Sequence, residues 1–398
     1  MKLQKLRLTA FRNISEAEIE FHSDLNFIVG FNGQGKTSIL EGIKFLSSLE
    51  SFRTTQSKDL IQYGKVNSNI EGDLTHSEGS TLWSETLRAT IGTTPSGRST
   101  IGVSINGKSA KSKIQYLKEL SSPSRLGFYA ISFNPADHEI IEGDPKIRRT
   151  YLNHAIAAEN LEYWVLLKNF TSLVDQRNKL LKQQDQYQSI DEDLLNSFTA
   201  PLLRLSAEIT GYRVHWLNRM IPVLNRKLGE ISGNKQLPVF IEMTLGGIDH
   251  EKLALYGTPV SWNNADYQNR LNAVLIKKRS AELRICSTLV GAHRDQWNFR
   301  TDFAALKGRA SQGEVRSVLL SLKLAEIENY QITTRIKPVL LLDDFSSELD
   351  LERRQFLLSY LQSLRLQAFV TTTENLTGVR SGFKVREGKI QPEDLGIF

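Results

Sequence analysis

Apolar and polar positions alternate along the first hundred residues of the chain and then change period. Leu6 and Leu8, then Ile19 and Phe21, sit between charged neighbours, which predicts half-exposed strands. Leu25, Phe27, Ile28 and Val29 form an apolar run that leads straight into a glycine-rich stretch. Alternation resumes over residues 83–106, broken by the turn residues Pro95, Ser96 and Gly97. Between about 146 and 228 the apolar spacing becomes three and four. Leu161, Trp164, Val165, Leu167 and Leu173 predict one helical stripe. Leu194, Phe198, Leu202, Leu205 and Ile209 predict a second, continuing through Tyr212, Trp216 and Met220. The polar stretch 182–193 reads as the turn between two antiparallel helices. Pro201 and Pro222 are expected to interrupt or kink the second. From about residue 283 a mixed strand and helix texture returns. Residues 339–342 and 368–372 read as buried strands, with Pro338 where a missing N–H is tolerated.

This is the pattern of an α/β domain with mixed sheets, split by a helical insertion. The expected division is a head made of residues 1–145 and 283–398, with an arm at 146–282. The longest apolar runs, such as 338–342 and 163–167, fall far short of the roughly 20 residues that a membrane helix needs. No membrane partner is therefore expected. Residues 1–21 lack the apolar core of an export signal and read as strand. The one cysteine, Cys286, excludes an internal disulfide and any Cys-based metal site, and fits a reducing, cytoplasmic setting. The seven histidines are scattered and suggest no metal cluster. A net charge of +6 permits nucleic-acid binding without demanding it.

The strongest local chemistry is the run Gly30, Phe31, Asn32, Gly33, Gln34, Gly35, Lys36, Thr37, which matches G-x-x-x-x-G-K-[ST] in full. Glycines let the backbone curl so that its N–H groups face phosphate oxygens. The helix that follows adds the positive end of its dipole. Lys36 brings a point charge to the β- and γ-phosphates, and the Thr37 hydroxyl is a ligand for Mg²⁺. Ser38 completes the candidate set, and the implied cofactors are ATP and Mg²⁺.

A second cluster is spread over the last ninety residues. Val339, Leu340, Leu341 and Leu342 are followed by Asp343 and Asp344. Asp343 is placed to hold Mg²⁺, and Asp344 to orient or deprotonate the attacking water. ATPases of this kind usually carry Glu at the second position, so the shorter Asp344 predicts slow hydrolysis. Ser311, Gln312, Gly313 and Glu314 precede a helical run and resemble the LSGGQ-type signature of ABC ATPases. Ser-x-x-Glu is equally a plain helix capping box. In ABC proteins this segment meets the γ-phosphate held by the other subunit, so Ser311 and Gly313 are expected to act in trans. Ser347, Glu348, Leu349 and Asp350 stand at the place of the D-loop. Thr371, Thr372, Thr373 and Glu374 stand at the switch segment, where ABC proteins often have His and where Thr373 or Thr372 is the candidate.

Together these pieces resemble the RecF family of DNA-repair ATPases, which places the fold as an ABC-type P-loop ATPase head split by an arm. The residues carrying the resemblance begin with Phe11-Arg12-Asn13, the phosphate loop and Ser51-Phe52-Arg53-Thr54. Phe133-Asn134-Pro135-Ala136-Asp137 and Gly143-Asp144-Pro145-Lys146-Ile147-Arg148-Arg149 follow. Gly291-Ala292-His293-Arg294-Asp295, Ser311-Gln312-Gly313, Leu322-Lys323-Leu324-Ala325-Glu326 and residues 341–350 complete the set. It runs from residue 1 to about 375 and is weakest through the arm. Ala292, Gln296, Ser38, Glu314 and Val315 depart from the usual family residues. None of these removes a phosphate or metal ligand, but Glu314 brings a negative charge near the transferred phosphate. The resemblance implies an ATP-dependent homodimer that binds double-stranded and gapped DNA. It also implies RecO and RecR as partners in helping RecA load, with roles at the replication fork and in SOS induction. A transport-type ABC ATPase and a structural SMC-like linker are the competing classes. The family motifs and the insertion speak against the first, and the shortness of the arm against the second.

Candidate DNA contacts are Lys146, Arg148 and Arg149; Lys277, Lys278 and Arg279; and Arg177, Lys179 and Lys182. Each cluster is also readable as a solvated helix face. His293-Arg294-Asp295 reads equally as support for the nucleotide site or as an internal salt bridge.

Overall fold

The structure, a computed structural model, describes residues 1–78, 81–94, 97–121, 127–187, 191–233, 236–248, 251–258, 260–344, 351–373 and 382–393. The expected turn at Pro95 and Ser96 lies outside these, as do the D-loop residues 347–350 and Glu374. The chain packs as two compact units, one of residues 1–136 with 330–398 and one of residues 137–329.

The first unit holds two six-stranded sheets. One is antiparallel, in the order Ile14–Glu20, Lys2–Phe11, Asn67–Glu78, Thr81–Thr93, Ser99–Ile105, Lys108–Ser109. Leu6, Leu8 and Ile19 are buried on its inner face. Arg7 crosses strands on the other face to Glu18, Glu71 and Asp73. The second sheet runs Lys389–Glu393, Gly382–Arg386, Leu25–Val29, Ala368–Thr372, Val339–Leu342, Ala130–Phe133. Its inner strands pair in parallel. Val339, Leu340, Leu341 and Leu342 are all buried, as a strand covered on both faces requires. The helix Lys36–Ser48 joins both sheets in one core, where Ile39, Leu40, Ile43 and Leu46 meet Leu3, Leu8, Ile28, Leu341 and Phe369.

The second unit is built on the helices Pro145–Glu159, Leu161–Tyr187, Thr199–Ser232 and Asn264–Ile285. It reaches past the expected arm boundary near 282. The reason is a three-stranded antiparallel sheet absent from the helical expectation, in which Gln296–Arg300 pairs with Phe240–Thr244 and that strand with Lys252–Leu255. The second predicted stripe holds from Leu202 onward, but Leu194 is exposed on a separate short helix and Leu195 is buried in its place. The first stripe shifts more. The buried face of Leu161–Tyr187 is Tyr163, Phe170, Val174, Arg177 and Leu181, while Val165 is exposed. Pro222 does not end its helix, which continues to Ser232 with Gly257 packed against the proline ring. Pro201 lies in the first turn, where a missing N–H leaves no hydrogen bond unmade. No helix among the described residues is long and apolar enough to cross a membrane.

Candidate functional site

The carboxyl ends of four parallel strands in the first unit converge on one open cavity of about 830 Å³. Ligands of open α/β sheets sit at such edges. Leu25–Val29 delivers the phosphate loop, Val339–Leu342 delivers Asp343 and Asp344, Ala368–Thr372 delivers Thr371, and Ala130–Phe133 delivers Asn134. Asn32, Gly33, Gly35, Lys36, Thr37 and Ser38 line the cavity with them.

The loop is shaped by two left-handed glycines, Gly33 at φ 79 and Gly35 at φ 114. Gly35 is the N-cap of Lys36–Ser48, and no side chain caps that helix end. Its first N–H groups and the positive end of its dipole are thus presented to an anion. Lys36 folds over the loop, with Nζ donating to the carbonyls of Gly30 at 2.6 Å and Phe31 at 3.0 Å. Burial lowers the pKa of its ammonium, and nearby Asp344 and Asp343 oppose that shift. The Thr37 hydroxyl donates to Asp343, at 2.9 and 3.0 Å from its two carboxylate oxygens. Thr371 donates to the same carboxylate at 2.8 Å and accepts from the Asp344 N–H at 2.8 Å. Burial raises the Asp343 pKa, and the two threonine hydroxyls work against it. Asp344 has a left-handed backbone, φ 53, a conformation that Asp adopts more readily than most residues.

A half-buried hydroxyl beside a buried carboxylate, offering oxygen ligands alone, suits a hard cation such as Mg²⁺. Thr37 and Asp343 are the residues that would hold it. Bound there together with a nucleoside triphosphate, such a cation would supply charge neutralisation at the phosphates. Within the described residues no cluster of three or more His, Cys, Asp or Glu side chains forms an independent metal site.

Several residues not given a role by the motifs prove central. Asn13 spans the loop, donating to the Gly33 carbonyl at 3.1 Å and accepting from the Ser38 hydroxyl at 2.9 Å. Glu41, one helical turn past Thr37, is fully buried. Arg12 grips both its oxygens, at 2.8 and 2.6 Å, and the Ser51 hydroxyl donates to it as well. Among the switch threonines it is Thr371 that faces the cavity. Thr372 is buried and its carbonyl accepts from the Gly30 N–H at 3.3 Å, while Thr373 is exposed just beyond the strand. Phe31 is exposed, and Gln34 is turned toward a neighbouring hairpin rather than the cavity.

Ser311 lies in the second unit, exposed, at the start of Gln312–Thr334. The capping box is formed. The Ser311 N–H and hydroxyl reach Glu314 at 2.7 and 2.8 Å, and the Glu314 N–H returns to Ser311 at 3.3 Å. These bonds lower the Glu314 pKa. The segment around His293 is an internal network. Asp295 is buried on Arg213 at 2.7 Å, Thr210 at 2.8 Å and the Gly246 N–H at 2.6 Å. His293 and Arg294 both face the Thr288 carbonyl.

The DNA candidates divide in the same way. Arg177 is fully buried against Glu282 at 2.5 Å, and Arg148 is buried with its guanidinium on the Gly143 carbonyl at 2.9 Å. Arg149 holds the Asp295 carbonyl at 2.9 Å, Lys278 holds the Gly247 carbonyl at 2.7 Å, and Arg279 pairs with Glu192. All five already have hydrogen-bond or ion-pair partners within the fold. Lys146, Lys179, Lys182 and Lys277 are exposed.

Residues 2–382 match the family model RecF/RecN/SMC N terminal domain. The chain is 31% identical over 399 residues to the DNA replication and repair protein RecF of Geobacter sulfurreducens, covering 98% of this chain and all of that one. It is 33% identical to RecF of Streptococcus suis, over 94% of this chain and 93% of the relative. The chain belongs to the RecF family. A solved structure of the recombination mediator protein RecF with ATP superposes with a TM-score of 0.85 at 28% identity, covering 98% of this chain and 97% of that one. An Smc head domain of Pyrococcus furiosus shares the fold, with a TM-score of 0.52 at 15% identity. The fold is thus an ABC-type ATPase head, as found in RecF and Smc proteins.

Proposed function

We propose that this RecF-family chain is an ATP-dependent DNA-binding repair protein of recombinational gap repair. In this reading it binds ATP with Mg²⁺, dimerises on ATP, and helps a recombinase load at junctions of single- and double-stranded DNA. RecO and RecR are its partners, and it works in the cytoplasm at the nucleoid. The observation that carries the reading is the junction of an uncapped phosphate-loop helix with the Thr37–Asp343 pair at one cavity.

The roles follow from the geometry. Gly33, Gly35 and the first N–H groups of Lys36–Ser48 cradle phosphate oxygens, and Lys36 exchanges its loop carbonyls for them. Asp344 holds the attacking water and takes its proton. Thr371 fixes the carboxylate edge by binding Asp343 and the Asp344 backbone. The partner protomer contributes Ser311 and Gly313. The Ser311 hydroxyl donates to Glu314 in the free chain, so it must turn from that carboxylate to the γ-phosphate. The displaced negative charge stays close, which together with the short Asp344 makes turnover slow.

DNA binding is assigned to exposed lysines, among them Lys146, Lys179, Lys182 and Lys277, which contact phosphates without reading sequence. Such binding weakens steeply as salt rises. Filter binding to gapped duplex across a salt series, with and without ATP, tests the reading. ATP-stimulated binding with a steep salt slope supports it. Equal, weak retention with and without ATP at low salt refutes it and revives the transport-type alternative.

A further inference from the structure

The motif glycines explain what the phosphate loop can bind. They do not explain what holds so flexible a turn in one shape, since glycine leaves many backbone states open. We propose that the hairpin at 382–393 is a brace that keeps the phosphate loop in its binding conformation, with Gln34, Glu387 and Gly388 as positioning residues. The inference rests on the ATP reading above and adds to it a support outside the motif.

The strands Gly382–Arg386 and Lys389–Glu393 pair antiparallel, with Arg386 opposite Lys389. That leaves a two-residue turn, Glu387 and Gly388, both left-handed at φ 51 and 73. Positive φ at both central residues is the type I′ hairpin turn. The first strand of the hairpin runs parallel to Leu25–Val29, the strand that feeds the loop. The turn therefore arrives directly at the loop, and its N–H groups close on one residue there. The Gly388 N–H donates to the Gln34 carbonyl at 3.0 Å, and the Glu387 N–H donates to Gln34 Oε1.

Two close approaches fix the fit. A Cβ on Gly30 would lie 2.4 Å from the Val385 carbonyl oxygen, and one on Gly388 would lie 2.8 Å from the Asn13 carbonyl oxygen. Asn13 is the residue whose side chain ties Gly33 to Ser38. The loop is thus held from its strand, from Asn13 and from the hairpin turn. Gln34 occupies a position at which the motif accepts any residue, and here its side chain serves the backbone of the hairpin. A loop ordered in advance loses less freedom when nucleotide arrives, so the brace raises affinity and leaves the chemical step alone.

The test is ATP affinity and steady-state turnover for the parent chain, Gln34→Ala, Gly388→Ala and the double variant. Gln34→Ala removes the side-chain acceptor without touching the hairpin, and Gly388→Ala drives the turn off the Asn13 carbonyl. Each single change is expected to raise Kd and KM for ATP by about tenfold, with kcat at saturating ATP within about twofold of the parent. The double variant should be about as weak as the weaker single, because both changes cut one brace. Glu387→Asn tolerates the left-handed turn and should keep the parent's affinity. ATP affinity equal to the parent's in both single variants overturns the brace and leaves the ATP reading standing. So does a fall in kcat with KM unchanged. A parent chain that does not bind ATP overturns both. If Gly388→Ala does not fold, Gln34→Ala decides by itself.

Discussion

One cluster of charged side chains in each unit shows two opposite uses of charge. In the first, Lys36, Asp343 and Asp344 meet at the wall of an open cavity, where their charges are available to a ligand. In the second, Arg213 with Asp295 and Arg177 with Glu282 are at most 2% exposed and satisfy one another inside the fold. The buried Glu159 carboxylate is also satisfied, accepting from Trp216, Asn329 and the half-exposed Arg219. The difference is whether the geometry leaves room for another molecule.

The comparison is tested most severely by cutting one buried pair. Asp295→Ala leaves Arg213 buried and unpaired, and is expected to lower unfolding free energy by about 3–5 kcal/mol in urea titration. Any ATP bound by the variant that remains folded should be bound as tightly as by the parent. Lys36→Met is the reverse case. It should weaken ATP binding by at least about 100-fold, roughly 3 kcal/mol, while stability stays within about 1 kcal/mol. Equal stability losses for the two variants would erase the distinction.

One pH dependence comes from a buried histidine of the second unit. Burial lowers the His293 pKa from 6.5 to about 4. The unfolded chain takes up this proton near 6.5, and the folded chain not until about 4. The stabilisation from the neutral ring is whole above 6.5 and is lost as pH falls toward 4. Unfolding of the parent should therefore become easier across that window by roughly 2–3 kcal/mol more than unfolding of His293→Gln. The smallest effect belongs to an exposed pair of the same unit. Arg204 and Glu208 are 3.6 Å apart on a helix surface, and Arg204→Ala should change stability by less than about 0.5 kcal/mol.

What could be read from the sequence was what lies together in it. The phosphate loop is eight consecutive residues, and Asp343 follows four apolar ones, so strand, turn and chemistry are all local. The partnerships across the chain were not legible in this way. Thr37 and Asp343 are 306 positions apart, and Arg12 and the buried acid Glu41 are 29 apart. Which of three successive threonines faces Asp343 depends on where the strand Ala368–Thr372 ends, and that is set by pairing with its neighbours. The first helix stripe was displaced to a face that runs through Tyr163, Phe170 and Val174 and includes a polar letter, Arg177, whose counter-ion Glu282 comes from Asn264–Ile285. The three-stranded sheet of the second unit joins strands from 240, 252 and 296, whose pairing leaves no local signature.

The central claim is that ATP in the first unit's cavity is completed by Ser311 of a second copy. Sedimentation of the parent chain and of Ser311→Arg, each with and without ATP and Mg²⁺, tests it most directly. The account predicts that ATP doubles the parent's mass, while the variant binds ATP and remains a monomer. A parent that stays monomeric with ATP bound, or a variant that doubles equally well, would contradict it.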